Sequence, residues 1–158
     1  MLFRRSFNAS VRSSLSRSLL FTSSSRSASS AVFTWGKADS GALGHKNYDD
    51  ITREPRRLVK SKRFKDITCG ESYSLAIDHD GNMFGWGNGP CSFDSETPVH
   101  IPVPSNTQVV KAIAGPKHAA CIDANGDMFT WGKQKGGWFS GGGQLGQGDS
   151  IKSADSPR

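Results

Sequence analysis

Three Trp-Gly pairs, at positions 35, 86 and 131, divide the chain at intervals of 51 and 45 residues. Each closes a similar segment: Val32-Phe33-Thr34-Trp35-Gly36, Met83-Phe84-Gly85-Trp86-Gly87 and Met128-Phe129-Thr130-Trp131-Gly132. Between the last two the likeness runs much further. Gly70 falls on Gly115, Ile77-Asp78 on Ile122-Asp123, and Gly81 on Gly126, all at an offset of 45 residues. One offset held without gaps across glycines, apolar positions and Trp marks a structural repeat. Such repeats stack to build surfaces, so a repeated position cannot by itself be a unique catalytic residue.

Each repeat spells strand, turn, strand. In Ser74-Leu75-Ala76-Ile77, residues alternate between two faces with the period of a half-buried strand. Asp80-Gly81 and Asn125-Gly126 then predict tight hairpin turns, since both dipeptides accept the positive φ such turns require. Met-Phe-x-Trp-Gly returns as the next strand. Apolar stretches upstream (Leu58-Val59 and Phe64–Ile67; Val99–Ile101 and Val109–Ile113) supply two more strands per unit, with Pro55 and Pro98 placed to open them. The expected fold is all-β: a leading strand at 31–36 and two four-stranded antiparallel units, 55–87 and 98–132, followed by a repeat linker at 133–158. Repeated four-stranded sheets make β-propeller blades.

The segments after Trp35 and Trp131 carry Gly41-Ala42-Leu43-Gly44 and Gly143-Gln144-Leu145-Gly146-Gln147-Gly148-Asp149. With the Trp-Gly strands, the Cys-Gly or Ala-Gly before each hairpin, and Pro157, this pattern resembles the regulator of chromosome condensation repeat family over roughly residues 31–158. The linker Asn88–Phe93 departs from it, having no Gly-x-Leu-Gly. The position usually held by His is Tyr73 in one repeat and His118 in the next. The resemblance implies a seven-bladed propeller of roughly 350 residues. The 158 residues here are then expected to be an incomplete propeller, either a truncated product, a short isoform or a partial gene reading, with assembly with other chains or an unusual small fold as the alternatives.

Residues 1–30 are of another kind. They hold five Arg and twelve Ser and no acidic residue. Phe3, Phe7, Val11, Leu15 and Leu19 would form one apolar stripe on a helix. Arg-rich, Ser-rich, acid-free and amphipathic is the composition of a mitochondrial or plastid transit peptide, and the dense Arg in the first dozen residues favours the mitochondrion, so a disordered or helical presequence and a matrix location are expected, with processing near Arg26–Ser29. The competing reading is a plain Ser/Arg tail. Leu19-Leu20-Phe21 is too short for a secretory signal, and nothing approaches a membrane span. The presequence arginines account for five of the six net positive charges, so the high overall charge gives no nucleic-acid footprint to the folded part.

One local basic cluster remains: Arg53, Arg56, Arg57, Lys60, Lys62, Arg63 and Lys65, interrupted by Glu54. It suits contact with RNA, anionic lipid or an acidic protein patch; equally, it suits a solvated edge that repels strand addition. Trp138 and Phe139, in an insertion after Trp131, are either partner anchors or folded back on the blade. Gly141-x-Gly143-x-x-Gly146 mimics a dinucleotide fingerprint but opens no helix, so no cofactor is expected. Cys69, Cys91 and Cys121 form no metal or disulfide pattern, the four His are scattered, and no catalytic set can be nominated. The function expected is a non-catalytic scaffold or adaptor that binds another protein. The family resemblance adds nucleotide exchange on a small GTPase as the rival, and the basic cluster adds an RNA-associated role.

Overall fold

The computed structural model describes residues 18–21, 31–37, 40–46, 51–90, 94–104, 107–133, 143–148, 151 and 153–158. Eleven strands form three antiparallel sheets. The first holds β1 (Ser18–Phe21), β2 (Phe33–Lys37) and β3 (Ile51–Arg57) in the order β1-β2-β3. The second holds β4 (Phe64–Cys69), β5 (Tyr73–Asp78), β6 (Met83–Asn88) and β7 (Asp94–Ile101) in sequence order. The third holds β8 (Val109–Ala114), β9 (His118–Asp123), β10 (Met128–Lys133) and β11 (Ser153–Ala154), again in sequence order from edge to edge. The all-β class and the incomplete propeller expected from the repeats are what the chain adopts.

The grouping of strands differs from the expectation. The segments around Pro55 and Pro98 do not open the units that follow them; they are the outer strands of the units that precede them. β3 pairs with β2 through Thr34↔Arg56, and β7 pairs with β6 through Met83↔Ile101. The sheets therefore run 64–101 and 109–154, not 55–87 and 98–132. Proline explains the placement. Both prolines lie inside outermost strands, where one edge needs no N–H donor. The same feature misleads in the sequence, because a strand-opening Pro and an edge-strand Pro look alike. A second correction concerns the N-terminus: Ser18–Phe21 pairs with β2 from Ser18↔Gly36 to Phe21↔Phe33, so Leu19 lies in a strand rather than on a helical stripe.

The hairpins form where Asp-Gly and Asn-Gly stand, but they are wider than two-residue turns. Asp78 N–H donates to Asn82 O and Gly81 N–H to Asp78 O, with Gly81 at φ 83°. The Asp78 carboxylate accepts from the backbone N–H groups of Asp80 and Asn82 and from the Asn82 side chain. Burial opposes ionisation of Asp78, yet the Asn82 and Asp80 hydrogen bonds and the Lys62 charge together hold its carboxyl below the usual range. Asp123 repeats the device 45 residues later, accepting from Asn125 and Asp127 N–H groups. Two Asp residues thus satisfy turn donors that would otherwise need water.

The Trp-Gly glycine sits where the ladder shifts register, between Gly85 and Gly87 in the second sheet. Gly87 has φ 89°, and a Cβ there would lie 2.5 Å from the Ser72 carbonyl. Gly132 meets the Lys117 carbonyl at the same 2.5 Å. Only glycine permits this bulge and this backbone approach.

Adjacent sheets face each other across two cores. Val32 and Leu58 of the first unit meet Phe64, Ala76, Phe84 and Trp86 of the second. Tyr73, Leu75, Ile77, Met83 and Ile101 of the second meet Val109, Ala112, Ala119, Cys121 and Trp131 of the third. The equivalent face of the third sheet is open among the described residues. Met83 is 1% exposed and its counterpart Met128 is 65% exposed. Full burial of a Met side chain is worth about 1.5–3 kcal/mol, so each sheet gains that stabilisation only where a neighbour covers it.

A pair of substitutions tests this dependence. Gly44 and Gly146 are equivalent, at φ 76° and 63°. A Cβ on Gly44 would lie 2.4 Å from Leu58 Cδ1 and 2.9 Å from Trp86 Nε1, whereas one on Gly146 meets nothing within 4 Å. Gly146→Ala is expected to lose about 1–2 kcal/mol from left-handed strain alone. Gly44→Ala should lose a further ~1–3 kcal/mol from overpacking. Urea unfolding midpoints of the two variants measure the difference, and equal losses would refute the inter-sheet contact.

Candidate functional site

The Gly-x-Leu-Gly loops are turns that lock one sheet to its neighbour. Gly44 N–H donates to Gly41 O at 3.0 Å, and Gly146 N–H to Gly143 O at 2.9 Å. Leu43 and Leu145 are thereby driven into the core, at 0% and 1% exposure. Their carbonyls accept from Thr34 Oγ1 at 2.7 Å and Thr130 Oγ1 at 2.5 Å. The Ala42 carbonyl takes two donors from the second sheet: Trp86 Nε1 at 2.8 Å and Ser74 Oγ at 3.0 Å.

A side chain one residue past each turn completes the lock, and sequence reasoning missed it. His45 Nε2 lies 2.8 Å from Thr34 Oγ1. The Thr34 proton is given to Leu43, so the His45 Nε2–H donates to the Thr34 oxygen. Gln147 takes the same place in the last repeat, donating to Thr130 Oγ1 at 2.8 Å and to the Arg158 carbonyl at 3.2 Å. A scattered His in the sequence is therefore a structural donor, and its likeness to Gln147 was the available signal. Burial and then the Arg56 charge lower the His45 pKa below 6.5, against a hydrogen bond to the Arg56 backbone that raises it.

The middle repeat has lost both halves of this lock together. Gly85 replaces the Thr, and the linker after Trp86 has no Gly-x-Leu-Gly. The consequence falls on Trp131: its Nε1 is buried with no hydrogen-bond partner among the described residues. An unmet buried donor costs about 1–3 kcal/mol. Trp86, whose counterpart loop is intact, has no such deficit.

Of the candidate binding residues, Arg53, Arg56 and Arg57 lie on β3, and Lys60, Lys62 and Arg63 lie in the turn leading to β4. All six are exposed, as is Lys65. The structure brings them together on one strand and turn at the outer edge. The Lys62 ammonium also lies 4.0 Å over the Phe84 ring. Trp138 and Phe139 lie outside the described residues, as do Cys91 and most of residues 1–30.

Burial pushes the Cys69 thiol up to about 11 against a Ser74 hydrogen bond, and burial with the Asp123 charge pushes Cys121 up to about 12. Both stay protonated and unreactive at neutral pH. No group of three or more His, Cys, Asp or Glu among the described residues is placed to hold a metal ion. The glycines at 143 and 146 belong to the turn. Among the described residues no helix is long and apolar enough to cross a membrane.

The His45 lock has a pH consequence. A histidine whose folded pKa lies below its unfolded value binds fewer protons when folded, so stability is present above pH 6.5 and falls as the pH drops below it. His45→Gln, copying Gln147, should retain stability at pH 7.5 and lose less of it at pH 5.5 than the parent chain. Thermal melts at the two pH values check this, and an unchanged acid sensitivity would contradict it.

Known proteins resemble the chain in sequence and in fold. The plant ultraviolet-B receptor UVR8 of Arabidopsis thaliana is 34% identical over 97 residues, 56% of this chain and 22% of that protein. The crystal structure of human WBSCR16 superposes with a TM-score of 0.68 at 24% identity, covering 81% of this chain and 32% of that one. That of Prp20p from Saccharomyces cerevisiae, described with its binding to Gsp1p and histones, gives 0.60 at 22% identity, covering 75% and 30%. The two structural likenesses establish the propeller fold. The chain spans less than a third of the length of each of these relatives. Residues 29–77 match the regulator of chromosome condensation (RCC1) repeat, and the chain, as part of a propeller, belongs to the RCC1 repeat family.

Proposed function

We propose that the chain is a non-catalytic protein-binding part of an RCC1-type propeller that acts in the mitochondrial matrix. One observation carries the reading: the repeated polar side chains (Thr34, His45, Ser74, Tyr73, Thr130 and Gln147) all bond to other parts of the same fold. None is left to do proton or nucleophile chemistry. What remains for function among the described residues is surface: the basic edge, and the open face of the third sheet bearing Met128 and Ile113, which are 65% and 54% exposed. That face suits a further blade, since its counterpart on the second sheet takes one. The Arg-rich, acid-free residues 1–30 support import, and processing near Arg26–Ser29 would detach β1 from the edge of β2.

Nucleotide exchange on a small GTPase is the second reading. The binding of Prp20p to Gsp1p favours it, and exchange by wedging a loop into a GTPase needs no catalytic side chain of the kinds absent above.

Release of a fluorescent GDP analogue from mitochondrial GTPases, with and without the purified chain, separates the two. The scaffold reading predicts no acceleration, and a tenfold acceleration would establish exchange. A fusion of residues 1–35 to a fluorescent protein is expected to enter mitochondria; diffuse fluorescence in the cytosol would overturn the location.

A further inference from the structure

We propose that the edge formed by β3 and the turn after it, Arg53–Lys65, binds the phosphate backbone of single-stranded nucleic acid. Charge is the first ground. This stretch carries seven basic side chains and one acid, Glu54, whereas the rest of residues 31–158 carries thirteen acids against eight bases. The fold keeps that separation: all seven cations are exposed, three on β3, three in the turn after it and Lys65 at the start of β4. Among the described residues, none of Arg53, Arg57, Lys60, Arg63 or Lys65 forms an ion pair. Arg57 stands across from Phe33 and Arg56 from Thr34, so successive cations of β3 fall on opposite faces and the edge offers positive charge on both sides to a polyanion.

Two further features choose nucleic acid over an acidic peptide. An extended peptide would dock on a sheet edge through main-chain hydrogen bonds. Pro55 stands in the middle of β3, has no N–H to donate, and interrupts that register. Side chains, not the backbone, are what this edge offers. Beside them stands an aromatic surface: Phe33, 38% exposed, is the direct cross-strand partner of Arg57. Cross-strand partners share a face of the sheet. An exposed ring beside Arg gives a base a surface to stack on while the cations hold phosphates, the combination that single-strand binding uses. A carboxylate peptide has no use for the ring.

The test is fluorescence anisotropy of a labelled 20-nucleotide oligouridine and an oligothymidine of equal length, titrated with the full chain at several salt concentrations. Binding of either strand is expected, weakening as salt rises, because each neutralised phosphate contributes about −0.7 to the log–log slope for single strands. Arg56→Gln, Arg57→Gln and Arg63→Gln together should weaken binding at least ~10-fold and flatten the slope by about 2. Lys60→Glu with Arg63→Glu, both in the turn outside the sheet, should also weaken it and keeps the test open if the strand variant misfolds. Lys111→Gln with Lys117→Gln, on the third sheet, should leave it unchanged. Equal affinity for polyglutamate of the same charge would overturn the proposal, as would binding that survives both basic-edge variants.

Discussion

A single hydroxyl shows how one sheet depends on the next. Tyr73 Oη lies 2.9 Å from the Gly115 carbonyl and 2.8 Å from the His118 carbonyl, sharing its proton between two acceptors in the neighbouring sheet. The ring reaches that far because Gly70, with no Cβ, lies beneath it; a methyl there would sit 2.1 Å from Tyr73 Cε1. Gly115 and His118 repeat the pairing one sheet on, with a Cβ on Gly115 falling 2.7 Å from His118 Cε1. Leu75, Ile77 and Met83 surround the Tyr73 contact and are buried by the third sheet. The hydroxyl adds about 1 kcal/mol net, and its larger effect is to fix the angle at which two apolar faces meet.

Much of this was legible in the sequence. The 45-residue offset placed β5 and β6 on β9 and β10 and located both hairpins. It succeeded because it tracks residues whose identity the backbone dictates: glycine at a bulge, Asp at a turn, Trp in a core. Boundaries between sheets were not legible, since pairing of an outer strand is a non-local choice that Pro55 and Pro98 do not announce. The strand at Ser18–Phe21 was missed for a related reason. Leu19 fits a helical stripe with Leu15 and Val11, and only pairing with Phe33–Gly36 decides between the two.

The loop chemistry was half visible. Gly-x-Leu-Gly stood out as a motif, but its partners did not, because Thr34 and Leu43 are nine residues apart and Ala42 and Trp86 forty-four. The middle repeat has neither the Thr, its position 85 being Gly, nor the Gly-x-Leu-Gly turn that Thr would bond. The Trp131 indole is a buried donor with no partner among the described residues. The basic edge was visible as composition, and the fold adds what composition lacks: exposure of every cation, a proline that blocks strand addition, and Phe33 across from Arg57. Internal packing thus claims the positions that recur between repeats and leaves binding to residues the repeat does not specify.

Native-state hydrogen exchange tests most directly whether the second and third sheets stand as one unit. The amides of Leu75, Ile77, Ala119 and Cys121 should open with a common free energy, and Tyr73→Phe should lower all four by about the same amount, on the order of 1 kcal/mol. Loss of protection confined to one sheet, with the other unchanged, would contradict the account.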